Sequence, residues 1–242
     1  MKLVDSFKLF FRKEMFIPSW VSIIINSNYF VARGISKGIK KNSHYMTGIM
    51  LDFGCGRKPY RSLFKVRDHI GIDVENPAHN NDSSVIDKFY DGKTIPFDNG
   101  YFDSIFSSEV LTHIFSIEEV MPELNRVLKK DGYFLLTVPF VWKENEKPHD
   151  CERYTSFGIK YLLEENGFEI INQEKTANYL IVIFQLFNDY LYSTIFPNIK
   201  LLKFFLTILV IFPLNLIGII LSAVFPSNYD LFINNIIVAR KK

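Results

Sequence analysis

Apolar and polar positions along residues 48–176 fall into two interleaved patterns. Short apolar runs bounded by turn residues mark strands covered on both faces, and apolar spacing near 3.6 residues marks helices. The runs predict strands at about 48–53, 69–74, 84–87, 101–107, 133–138 and 168–171, with another at 231–239. Helices are predicted at about 58–67, at 117–129 with Val120, Leu124, Val127 and Leu128 on one face, and at 156–165. Ser156 would cap the last of these and Asn166-Gly167 would stop it. Asn76 to Asp82, Asp91-Gly92-Lys93, Asp98-Asn99-Gly100 and Asp131-Gly132 read as turns. Strand and helix in alternation argue for an α/β fold around a largely parallel sheet.

The flanks break this rhythm. Residues 1–17 set Lys2, Lys8, Arg12 and Lys13 among Leu3, Val4, Phe7, Leu9, Phe10, Phe11, Met15 and Phe16. That is a basic amphipathic helix, suited to an anionic membrane surface or to packing on the domain. No compact apolar core runs from it into a small-residue cleavage site, so it does not read as a signal peptide. From Phe204 to Tyr229 there is no charged residue, and from Thr176 to Ile199 the only charge is Asp189. About 20 apolar residues suffice to span a bilayer. If 231–239 rejoins the sheet, an odd number of crossings is excluded: the segment enters and returns, lies in the interface, or is buried in a partner. Three parts follow: an N-terminal helical segment (1–45), a sheet domain (46–176 and 229–242), and a hydrophobic helical insertion (177–228).

Composition adds limits. The net charge of +2 is too near balance to argue for nucleic acid. An apolar fraction of 48% with 24 Phe is high for a soluble enzyme and fits the insertion. Cys55 and Cys151 offer neither a disulfide framework nor metal-ligand spacing, so no metal site is expected.

The chemistry centres on Leu51-Asp52-Phe53-Gly54-Cys55-Gly56-Arg57-Lys58-Pro59-Tyr60, an apolar run entering a Gly-x-Gly turn. Nineteen residues after Gly54, Asp73 ends the run His69-Ile70-Gly71-Ile72, where a carboxylate can accept hydrogen bonds from both ribose hydroxyls. A dinucleotide site would want glycine where Pro59 stands, and no phosphate-loop Gly-Lys-Ser/Thr is present. The turn suits adenosine without phosphates.

These two segments resemble motifs I and II of the class I S-adenosylmethionine-dependent methyltransferases. With 89–97, 102–111, 125–129 and 153–158 they are most similar to a bacterial group associated with cell-surface polysaccharide and glycolipid synthesis. The resemblance implies a Rossmann-like seven-stranded methyltransferase sheet, its last strand antiparallel, with N-terminal helices and the hydrophobic insertion before that strand. It places Asp52, Phe53, Gly54, Cys55 and Gly56 around the methionine and ribose of S-adenosylmethionine. Asp73 with Val74 falls on the ribose, Asp87 near the adenine, and Ser107 and Ser108 beside the activated methyl. Two departures bear on catalysis: the group's Val-Leu-Glu-His is Val110-Leu111-Thr112-His113, and its loop Glu-His-Glu then Pro-Tyr-Asp is Glu144-Asn145-Glu146 then Pro148-His149-Asp150.

A hydroxyl nucleophile benefits from proton removal, and His149 is the first candidate base, with His113, Glu146, Asp150 and Glu109 as reserves. Arg153 and Tyr154 could bind a sugar or phosphate, or cap the following helix. The expected activity is O-methylation of a sugar on a membrane-anchored glycan precursor, at the cytoplasmic face of the inner membrane. A lipid or quinone acceptor, and a non-catalytic membrane-associated partner, are the alternatives. The partners expected are a small-molecule or lipid-linked glycan substrate and the membrane, with no nucleic acid; a homo-oligomer is left open.

Overall fold

The computed structural model describes residues 2–75 and 85–242. In chain order come helices α1 (Lys2–Phe16), α2 (Ser22–Ile25) and α3 (Tyr29–Asn42), strands β1 (Ile49–Phe53), β2 (Asp68–Val74), β3 (Lys88–Tyr90) and β4 (Phe102–Ser108), then α4 (Ile117–Val127) and β5 (Leu128–Pro139). The chain continues through α5 (Ser156–Glu165), β6 (Phe168–Lys175), α6 (Tyr179–Tyr190), α7 (Lys200–Leu206), α8 (Phe212–Val224) and β7 (Asn234–Lys241). These make two compact units: Gly38–Glu174 with Asn235–Lys242, and Met1–Lys37 with Lys175–Asn234.

The first unit is a seven-stranded sheet in the order β3-β2-β1-β4-β5-β7-β6. Strands β1 to β5 pair in parallel, with Asp52 opposite Gly71 on one side and Phe106 on the other. The last strand runs against β6: Lys242 N donates to Gly167 O (3.1 Å), so the end of one meets the start of the other. Phe53, Phe102, Phe134 and Phe168 are completely buried, packed with Val120, Leu124 and Val127 of α4 and Ile159 and Leu163 of α5. This is the α/β fold around a largely parallel sheet that the alternating pattern implied, with the seven strands and antiparallel last strand that the resemblance implied.

Four expectations are corrected. The helix at 58–67 is absent; only a short 3-10 turn, Arg61–Leu63, stands there. Gly56 and Lys58 both have positive φ (48° and 49°), and such backbone cannot start a right-handed helix. The strand at 84–87 is displaced to β3: Asp87 precedes it, its N–H donating to Gly71 O (3.0 Å), while Ser84 and the Asn76–Asp82 turn lie outside the described residues. The helix at 117–129 ends at Val127, because β5 begins at Leu128 and takes in Asp131, whose φ is 60°. Thr155, not Ser156, caps α5, its hydroxyl accepting from Gly158 N (3.0 Å).

The second unit joins the chain before residue 38 to the hydrophobic insertion. From Lys200 to Val224 runs one helix of 25 residues, with a mean hydropathy of 2.7 over an 18-residue window and widened by one turn at Thr207–Ile211. At about 1.5 Å per residue it is longer than the ~30 Å hydrocarbon of a bilayer. Its inner face is tied by amides: Asn188 Nδ2 donates to Asn215 Oδ1 (2.8 Å), and Asn215 Nδ2 to Ile23 O (2.9 Å). Gln185 likewise accepts from Phe30 N (3.2 Å) and donates to Ser27 O (3.0 Å). Such pairing offsets the desolvation cost of buried amides. Both ends of the insertion meet, since Thr176 N donates to Asn234 O (2.9 Å) and Ile233 N to Thr176 O (3.0 Å). The outer face is apolar and uncovered, with Leu201, Phe205, Leu209, Ile220 and Val224 exposed alongside Leu9, Met15 and Trp20.

Candidate functional site

The strand β1 delivers a turn whose backbone is drawn onto β2. Gly54 N and Cys55 N both donate to Ile72 O (3.0 and 3.1 Å). Gly56 N donates to Asp73 Oδ2 and Val74 N to Asp73 Oδ1, each at 2.8 Å, so the carboxylate is fixed at the tip of β2. Gly54 has a φ of 67°, and a Cβ there would stand 2.4 Å from Val110 Cγ2. Gly56 has a φ of 48°, and a Cβ there would meet nothing within 4 Å. One glycine permits packing against the residue after Glu109; the other faces open space beside Asp73.

The acids around this turn differ sharply. Asp52 is buried and accepts from or shares a proton with His69 Nε2 (2.7 Å); burial pushes its carboxyl upward against that partner. Asp87 forms an ion pair with Lys58, which is itself buried, and accepts from Gly71 N (2.7 Å). Burial works to raise the Asp87 carboxyl, but Gly71 N–H and the Lys58 ammonium hold it below the ordinary range. Phe53 is core, and burial pushes the Cys55 thiol strongly up, so it is no nucleophile at neutral pH. Ser107 at the end of β4 is buried, its hydroxyl without a protein partner.

A small pocket is lined by Glu109, Thr112, His113, Pro139, Trp142, Asn145, Asp150 and Arg153. Its loop is clamped by Cys151 N to Thr112 O (2.8 Å) and Tyr154 N to Pro139 O (3.2 Å). Arg153 is the loop's internal strut: Nη2 reaches Asp150 Oδ2 (2.7 Å) and Lys143 O (2.8 Å), Nη1 reaches Glu152 O (2.7 Å). Its guanidinium, with Asn145 N–H, holds the Asp150 carboxyl down to about 2. A carboxylate so paired is a poor base.

His113 Nδ1 lies 2.7 Å from His149 O. A carbonyl only accepts, so Nδ1 carries the hydrogen, and the neutral ring keeps Nε2 as its acceptor. The ring of His149 is exposed, edge-on to Phe115 at 6.1 Å, and does not line the pocket. Glu146 is exposed and contributes its carbonyl to His149 N (2.9 Å). The structure thus brings Gly54, Gly56 and Asp73 together at the turn, and His113 and Asp150 together in the pocket. Three neighbours escaped the sequence reading. Thr137 hydrogen-bonds Glu109 (2.6 Å), and Trp142 lines the pocket. Asp91, at the tip of β3, accepts from Lys93 N and Thr94 N (2.9 and 2.7 Å). The Asp-Gly turn after a short strand was a usable signal for Asp91; nothing local marks Thr137 or Trp142. Among the described residues, no group of three or more His, Cys, Asp or Glu is arranged to hold a metal.

Residues 51–136, from β1 into β5, match the family model described as a methyltransferase domain. Among solved structures, the chain is similar to the [4+2]-cyclase SpnF (16% identity, 87% of this chain and 81% of that one, TM-score 0.55). It is also similar to phosphoethanolamine N-methyltransferase 2 of Haemonchus contortus, solved with S-adenosyl-L-methionine (17% identity, 92% and 56%, TM-score 0.52). A third likeness is to geranyl diphosphate C-methyltransferase of Streptomyces coelicolor, solved with S-adenosyl-L-homocysteine (14% identity, 86% and 77%, TM-score 0.52). At these identities the likeness is one of fold. No curated protein matches the chain.

Proposed function

Taking residues 51–136 as an S-adenosylmethionine-dependent methyltransferase domain, we propose that the chain methylates a hydroxyl of a sugar on a lipid-linked glycan precursor at a membrane surface. The observation that carries this reading is the polar pocket of Glu109, His113, Trp142 and Arg153 next to the glycine turn, with Val110 packed on Gly54. The turn fits the cofactor. Gly56 leaves open the space a bound ligand needs, and Asp73 stands beside it as a hydrogen-bond acceptor for ribose hydroxyls. Phe53 and Cys55 shape the turn from beneath, Val74 orients Asp73, and the Ser107 hydroxyl is a donor awaiting a partner. When bound, the cofactor supplies a methyl group already activated by its sulfonium.

The protein's share is then to bind the acceptor, orient it and take its proton. His113 Nε2 takes the proton, because His149 O fixes the opposite nitrogen as N–H. Asp150, locked on Arg153, shapes the loop. Arg153 retains a buried Nε–H without a protein partner, which an acceptor oxygen would satisfy. Trp142 offers an apolar face for a sugar ring. The exposed apolar face of the helical unit, with Arg12, Lys13, Lys200 and Lys203 as its cations, supports the membrane surface. A soluble charged cofactor supports the cytoplasmic side.

The test incubates membranes containing the protein with methyl-labelled S-adenosylmethionine and partitions the product. Acid-labile label in the organic phase, lost in Asp73→Ala, is the expected result. Label stable to mild acid would replace the glycan with a lipid or quinone, and cofactor binding without transfer to any extract would refute the enzymatic reading.

A further inference from the structure

Glu109 sits where a glutamate is seldom found, with a φ of 61°, directly after β4 and in the wall of the polar pocket. Left-handed backbone at a non-glycine residue is costly and persists where the surroundings impose it. Here the imposing contact is β5: Glu109 N donates to Thr137 O (2.9 Å), and Thr137 Oγ1 donates to Glu109 Oε1 (2.6 Å). Thr137 has one hydroxyl hydrogen, and the carboxylate takes it. Ser108 Oγ, 2.9 Å from Thr137 Oγ1, must therefore be the donor in that pair. The three side chains form a chain with one direction, Ser108 to Thr137 to Glu109. It starts at the end of β4 and ends on a carboxylate in the pocket. Chains of this kind strengthen each member in a low-dielectric setting.

We propose that Glu109 is the residue that selects and orients the acceptor by accepting a hydrogen bond from one of its hydroxyls, and that Ser108 and Thr137 are positioning residues that aim it. The substrate class is a polyhydroxylated acceptor, with one hydroxyl on Glu109 and another receiving the methyl group. The inference rests on the methyl-transfer reading. It predicts discrimination beyond it, because a site built to bind a hydroxyl rejects analogues lacking one far better than an apolar pocket can.

The test uses the full chain in membranes, methyl-labelled S-adenosylmethionine, and polar lipid extracted from the source cells as titrated acceptor. In Thr137→Val the amount of extract giving half-maximal rate should rise about tenfold, as expected for one hydrogen bond to a charged group. The dissociation constant for S-adenosylmethionine should stay within about twofold, and Thr137→Ser should restore the acceptor response. A Thr137→Val enzyme with the native acceptor response overturns the proposal, as does a Thr137→Ser enzyme no better than Thr137→Val. If the native enzyme transfers nothing, the methyl-transfer reading fails, and proton NMR decides the chain by itself. A slowly exchanging Thr137 hydroxyl resonance that vanishes in Glu109→Ala supports it, and no such resonance in the native protein overturns it.

Discussion

The sheet unit and the helical unit use the same apolar side chains to opposite ends. In the first, Phe53, Phe102, Phe134 and Phe168 are entirely shielded from solvent. In the second, Leu209 and Val224 are each 73% exposed and Trp20 is 77% exposed, while the amides of Gln185, Asn188 and Asn215 are completely buried. A water-soluble unit places polar groups outward; this one turns them inward, where they pair with one another and with backbone. The inversion teaches that the two units meet their surroundings with different chemistry. A sheet core gains about 25 cal/mol for each Å² of apolar surface removed from water, and the helical unit collects that gain only when lipid or a partner covers it.

The largest effect that would break this contrast is a triple change, Leu201→Ser, Phe205→Ser and Leu209→Ser. Each exposed side chain that lipid covers is worth about 1.5–3 kcal/mol, so flotation with anionic vesicles should fall by several orders of magnitude. The melting temperature of the sheet unit should not move. The converse change, Phe134→Ala, should cost about 3–5 kcal/mol of unfolding free energy by denaturant titration and leave flotation intact. Equal costs from both changes would erase the distinction between the units.

Within the sheet unit the same method separates cofactor turn from acceptor pocket. Asp73→Ala should weaken S-adenosylmethionine binding by roughly 10²- to 10⁴-fold in calorimetry, through two lost hydrogen bonds to a charged acceptor. His113→Asn should leave that binding unchanged and lower turnover about 10²- to 10⁴-fold. His149→Gln, which keeps the backbone carbonyl that His113 uses, should change turnover less than about threefold; a loss as deep as that of His113→Asn would move the base to the loop ring.

The smallest effect concerns pH. The Asp150 carboxyl is depressed to about 2 from an ordinary value of 3.8. A depressed carboxylate contributes stability that is fully present above its unfolded value and is lost as pH falls through the folded one. The loop clamp should therefore hold from neutrality down to about pH 4 and weaken between about 4 and 2. Asp150→Asn should remove that acid-dependent step in loop proteolysis and cost roughly 1.5–3 kcal/mol of local stability at neutral pH.

The glycine turn, Asp73 and the strands were legible in the sequence because each rests on local signals: apolar runs, a Gly-x-Gly, an acid at a strand end. The helix at 58–67 was not legible as absent. Lys58 takes a left-handed backbone because its ammonium reaches Asp87 across β2, a long-range tie that local propensity does not register. The two histidines show the same limit. Sequence places His113 and His149 in adjoining loops, but only the fold reveals that one supplies a ring to the pocket and the other a carbonyl to that ring. Thr137 looked like one more strand residue, and its role depends on which face of β5 meets the end of β4. The polar network inside the insertion was hidden for the opposite reason, since an apolar segment draws the eye to what it exposes.

The most direct test of the account joins both units in one experiment. Vesicles carrying polar lipid from the source cells are floated with the native protein or the Leu201/Phe205/Leu209 triple variant, then given methyl-labelled S-adenosylmethionine. The account predicts that native protein and label float together. The triple variant should remain below, bind S-adenosylmethionine normally, and label the vesicles at least about tenfold more slowly. Native protein that stays in the soluble fraction while labelling the vesicles, or a triple variant that labels them as fast, would contradict it.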